Sequence, residues 1–147
     1  MAGLLNPDPA IDAREALLVA ELRRWASTPF DLVRDNCGLA VLAYAEAVSG
    51  ATIRRGRGLK GARAAGRLMA TPEAFVAVVG GVMRRLGWRE VDGHAGAPRR
   101  GDIGLVWQPE LITAICVGDG DTGPMWAARG DRAVVIQPAT ALIAWSF

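Results

Sequence analysis

The sequence predicts an α+β domain in which N-terminal helices pack on a small antiparallel C-terminal sheet. Up to about Gly87 apolar residues recur at helical spacing between recognisable caps. From Trp88 onward the chain changes to short runs rich in Val, Ile and Trp, separated by Gly, Pro and Asp. Helices first and strands afterwards is the order expected of a helix layer segregated to one face of a sheet. At 147 residues the chain fits one domain, with 1–12 as an N-terminal arm and 13–147 as the folded unit.

Asp12 followed by Glu15 makes a capping-box-like start, and Leu18, Leu22 and Trp25 then fall at i, i+4 and i+7. This spacing predicts an amphipathic first helix over about residues 13–26, which Pro29 stops because it cannot continue a helix. A second helix opens at Asn36 or Cys37, since Asp35 and Asn36 are favoured caps; Cys37, Val41, Tyr44 and Val48 share one face, and Gly50 ends it. A glycine-punctuated basic segment follows, with a short helix expected near residues 59–69. In "TPEAFVAVVGGVMRRLG" Thr71 is the cap, Pro72 takes the first helical position and Gly87 is the stop. The runs "WREV", "DIGLVW", "LITAICVG", "PMWAA" and "AVVIQP" read as strands.

Composition narrows the function classes. Apolar residues make up 51%, but no uncharged stretch approaches the roughly 20 residues that cross a bilayer, so no membrane span is expected. The first residues, "MAGLLNPDPAIDAREALL", lack a basic n-region and a long apolar h-region, so no Sec-type signal peptide is expected and synthesis belongs in a cytoplasm. Two cysteines, Cys37 and Cys116, and a single histidine, His94, form neither a CxxC nor a zinc-ligand pattern. No metal and no cofactor is expected. Residues 51–100 hold 11 Arg and Lys against 3 Asp and Glu, most of the excess falling in 54–67. That run contains no aromatic, whereas single-strand nucleic-acid readers add stacking rings, so nucleic acid is not the expected partner. A solvated face is the ordinary reading of such a run; phosphate, an anionic cell-wall polymer or an acidic protein face are the alternatives.

Cys37 is the candidate for chemistry. A thiol at a helix N-terminus feels the positive end of the helix dipole, which favours the nucleophilic thiolate. Cysteine is equally a small hydrophobe, and the helical face it shares is apolar. Cys116, within "ITAICVG", reads as core. Of the five tryptophans, Trp107 and Trp145 fit core positions, while Trp25 and Trp126 are candidates to border a cleft.

The order of a helix-opening cysteine, then "RRGDIGLVW", "ITAICVGDG", "PMWAA" and a terminal "IAWSF" resembles the NlpC-type, papain-like cell-wall cysteine peptidases over about residues 22–147. The W-x3-PF run ahead of "RDNC" is similar to a compact branch associated with phage and prophage tails. The resemblance implies a papain-like fold with the nucleophile position at Cys37 and Asp35 in the place of a preceding acid. It also matches Gly101 and Asp102 to a strand opening and Gly118, Asp119 and Gly120 to a hairpin. The catalytic histidine position falls near Ile112, or at Leu111 or Thr113 if the register slips, and the third polar position falls near Ala127 or Ala128. None of these is a base, and a cysteine peptidase needs an imidazole to take up and return the proton. His94, in a Gly-rich loop, is the one substitute base, and Asp102 reads as a turn acceptor before it reads as an acid.

What the resemblance implies is a structural or docking component of a phage or prophage tail tip, built on a degenerate peptidase fold and contacting tail hub or tail-tip proteins. On this reading it resides in the virion or in the cytoplasm of the bacterial host. The alternative is an active cysteine hydrolase cutting peptidoglycan stem peptides through Cys37. A third reading keeps the cleft for holding peptidoglycan fragments without cleavage.

Overall fold

The computed structural model describes residues 9–31, 36–53, 70–91 and 97–147. They form an α+β fold with three helices in front of a six-stranded antiparallel sheet. The helix expected near 59–69 lies outside the described residues, as does the basic run 54–67.

Helix α1 spans Pro9–Ser27 and buries Leu18 and Trp25. It therefore starts earlier than the capping-box reading: Asp12 sits in its first turn and does not cap it, and the helix takes in residues 9–12 of the expected arm. Proline is tolerated in a first turn because its missing N–H has no intrahelical acceptor there. At the other end the Thr28 hydroxyl donates to the Arg24 carbonyl at 2.6 Å, closing the helix just before Pro29.

Helix α2 spans Cys37–Ser49 with the expected ends. The Asn36 side chain accepts the Leu39 N–H at 2.9 Å, and Gly50 takes the left-handed conformation at φ 70°. Its buried face is Ala40, Val41, Tyr44 and Ala45, where the two alanines let the helix lie close to the sheet. Helix α3, Pro72–Arg85, is capped by Thr71, whose hydroxyl accepts the Ala74 N–H at 3.1 Å.

The strands are β1 (Arg89–Glu90), β2 (Ile103–Trp107), β3 (Leu111–Gly120), β4 (Gly123–Arg129), β5 (Val134–Pro138) and β6 (Ala141–Ser146), in the order β1-β6-β2-β3-β4-β5. Strand β6 is the element missing from the sequence reading. The "IAWSF" run is the chain's return into the middle of the sheet, where it pairs with both β1 and β2.

This order dictates the shape. Only residues 139 and 140 join β5 at one edge to β6, four positions away in the sheet. In a flat sheet that gap is about 19 Å at the usual strand spacing of roughly 4.8 Å. The three residue steps available reach about 11 Å. The sheet therefore curls, bringing β5 back towards β2 and β6, and the Trp107 N–H donates to the Thr140 carbonyl of the link at 3.2 Å.

Two cores result. The helix-side core joins Leu18, Trp25, Val41, Tyr44 and Met83 to Ile103, Leu105, Ile115, Ala127 and Trp145. Each fully buried Leu or Ile there contributes on the order of 1.5–3 kcal/mol. The other face holds Val106, Ala114, Cys116, Trp126, Ala128 and Ala144, with one large ring among small residues. Gly104 makes room for that ring: a Cβ at this position would lie 2.6 Å from Cη2 of Trp126.

The tryptophans distribute differently from expectation. Trp25 and Trp126, read as possible cleft borders, are 3% and 0% exposed and belong to the cores. Trp107, read as core, is 43% exposed at the last position of β2, where the burial of the strand ends. Trp145 is core, as expected.

Candidate functional site

Cys37 is the first residue of α2, half-buried, with a free thiol. The Asn36 cap takes up the Leu39 N–H, and the N–H groups of Cys37 and Gly38 are the ones that act on the sulfur. Burial nevertheless prevails: it pushes the Cys37 thiol up, against the opposing pull of the Gly38 and Cys37 backbone N–H groups. Desolvation disfavours the charged form, so the thiol stays protonated at neutral pH. The helix dipole anticipated a thiolate here; the surrounding apolar packing reverses the sign.

Thr113 is the residue that faces α2. Its hydroxyl donates to the Cys37 main-chain carbonyl at 3.2 Å, and the residue is 4% exposed. Cross-strand partners share a face, and Thr113 pairs with Leu105 of the helix-side core. Ile112 pairs with Val106 and packs on the opposite core, so the position favoured for the histidine points away from the thiol. The cause is a register shift between Cys116 and Gly118 on β3. Counting back from "GDG" passes through that bulge, and one extra residue exchanges the two faces of a strand. A glycine two residues beyond Cys116, inside an otherwise apolar strand, was the available signal.

The two residues given for the third polar position fall on opposite faces of the sheet. Ala127 pairs with Ile115 on the helix side, while Ala128 packs on the opposite core. Beyond Ile115–Ala127, the last pair of this ladder, β4 runs two residues further to Arg129. Arg129 is 4% exposed, and its Nη2 donates to the carbonyls of Thr28 and Pro29, each at 2.9 Å. The guanidinium thus clamps the exit of α1 to the sheet. Cys37, Thr113 and Arg129 thus bring a thiol, a hydroxyl and a guanidinium to the helix side of the sheet, with no imidazole among them. Trp107 lies one same-face pair beyond Thr113, opposite Leu111, on the open side of this surface.

Asp102 is a turn acceptor. Its carboxylate takes the Arg99 N–H at 2.8 Å, 3% exposed, and Tyr44 Oη donates to the Gly101 carbonyl at 2.9 Å. Gly101 needs its φ of 95° for this turn, which most side chains avoid. Gly118, Asp119 and Gly120 lead into the β3–β4 hairpin, where Gly120 pairs with Gly123. Cys116 is fully buried in the core opposite the helices, where burial is the main influence raising its thiol. His94 and Asp35 lie outside the described residues.

Among the described residues no group of three or more His, Cys, Asp and Glu side chains is arranged to hold a metal ion. No helix among them is long and apolar enough to cross a membrane. No curated protein and no solved structure matches the chain. A helix-opening cysteine, a curled antiparallel sheet and the turn at Gly101 all fall within 10–147, the span over which the chain belongs to the family described as a domain of unknown function (DUF6950).

Proposed function

We propose that the chain is a catalytically silent relative of the NlpC-type peptidases that serves as a docking module in a phage or prophage tail tip. The observation that carries the first half is the contact of Thr113 with Cys37. The strand that would present an imidazole presents a hydroxyl already engaged by a main-chain carbonyl, and the chain's single histidine, His94, is elsewhere in sequence. The order of helix-opening cysteine, "GD" strand and "GDG" hairpin supports the peptidase-like ancestry, and the W-x3-PF run supports the tail context. Tail hub or tail-tip proteins are the partners this reading names, and the virion its place. Mass spectrometry of particles purified from a strain encoding the protein tests it: the protein is expected in the tail fraction at stoichiometric amounts, and its absence from intact particles contradicts the proposal.

A second reading keeps a hydrolase of stem peptides. It draws on the half-buried position of Cys37 at a helix N-terminus, with His94 as the base. Muropeptide cleavage that is lost in both Cys37→Ala and His94→Ala selects this reading over the first.

A further inference from the structure

We infer that the cavity between the start of α1, the turn before β2 and the end of β6 is a binding site for a small phosphate-bearing ligand. It measures about 500 Å³ and lies at the end of β2 remote from Trp107, so it is separate from the surface at Cys37. Four arginines from three parts of the chain line it: Arg14 from α1, Arg89 from β1, and Arg99 and Arg100 from the turn.

The carboxylates that reach it are already engaged. Glu15 holds the Arg100 fork at 2.6–3.1 Å, and Asp102 takes the Arg99 main-chain N–H. Arg100 also donates through Nη1 to the Val117 carbonyl at 2.6 Å, and Arg14 through Nη2 to the main-chain oxygen of Phe147, the last residue of the sequence, at 2.9 Å. The Arg14 Nε is buried and has no acceptor among the described residues. Arg89 and Arg99, which also line the cavity, are exposed and have no ion-pair partner among the described residues. Guanidinium N–H groups approaching from α1, β1 and the turn suit a tetrahedral oxyanion better than a planar carboxylate, because phosphate accepts from several directions at once. Ile11, 62% exposed, provides an apolar wall for the remainder of such a ligand.

Isothermal titration of the full chain with inorganic pyrophosphate tests this, alongside an Arg89→Ser/Arg99→Ser double variant whose fold is checked by circular dichroism. The expected result is saturable one-to-one binding that weakens about tenfold or more in the double variant, as charge-assisted hydrogen bonds are lost. An Arg55→Ser/Arg57→Ser variant is expected to bind as the parent does. Absence of saturable binding overturns the inference, and so does binding that survives the Arg89/Arg99 substitutions or disappears with those at 55 and 57.

Discussion

The Thr113 hydroxyl donates to the main-chain carbonyl of Cys37 across 3.2 Å, joining the middle of β3 to the first residue of α2. This contact seats the helix N-terminus on β3, the strand to which the proposed peptidase ancestry would assign a base. It places there a group that orients the backbone and cannot take up the thiol proton. With burial also raising the thiol, the helix-opening cysteine sits in the electrostatic setting of a core.

The state of that thiol is directly measurable. Iodoacetamide alkylation of Cys37, followed by peptide mapping against pH, is expected to show a midpoint above the ordinary thiol value of about 8.5. Thr113→His is expected to lower the midpoint by supplying an imidazole, while costing about 1–3 kcal/mol of stability through overpacking at a buried position. A midpoint below neutrality in the parent protein contradicts the assignment.

Tyr44 links α2 to the turn before β2 through the Gly101 carbonyl, and burial pushes its phenol well above the ordinary value. The fold holds the protonated form. Its contribution is complete below about pH 10 and is lost above it, where the unfolded chain releases the proton first, at up to about 1.4 kcal/mol per pH unit. Denaturant melts from pH 8 to 11 are expected to show this fall, less steep in Tyr44→Phe. That variant should lose about 0.5–1.5 kcal/mol at neutral pH. An unchanged alkaline slope in Tyr44→Phe counts against this role.

Gly104 and Trp126 are complementary across the curled sheet. Gly104→Ala sets a methyl within 2.6 Å of the indole ring, and the expected loss is about 1–3 kcal/mol in urea unfolding. A neutral result would mean that the core opposite the helices is looser than its burial indicates.

Arg129 is the buried clamp on the α1 exit. Arg129→Met keeps the length of the side chain and removes the donors to Thr28 and Pro29; a loss of about 1.5–3 kcal/mol per charged hydrogen bond group is expected at first order. Proteolysis should sharpen the picture, with cleavage after α1 increasing in the variant. Wild-type stability and an unchanged cleavage pattern argue against the clamp.

Much of the fold was legible because local chemistry and tertiary structure agree. Asn36 and Gly50 bound α2, Thr71 and Pro72 open α3, and five strands lie where their Val, Ile and Trp runs fall. Strand β6 was not legible as a pairing partner, since its place between β1 and β2 follows from the curl and leaves no mark in its own residues. The site was half legible. Cys37 could be located from caps alone, but the residue opposite it depends on strand parity, and a single bulge between Cys116 and Gly118 moves the answer from Ile112 to Thr113. Arg129 escaped notice because a lone arginine at a strand end reads as a surface charge until the chain folds over it.

The most direct test of the central claim is muropeptide hydrolysis by the purified full chain, followed by mass spectrometry with Cys37→Ala in parallel. Substrate unchanged in both samples is the predicted result. Stem-peptide release by the parent protein that Cys37→Ala abolishes would contradict it, and would mean that a base reaches Cys37 despite the hydroxyl of Thr113.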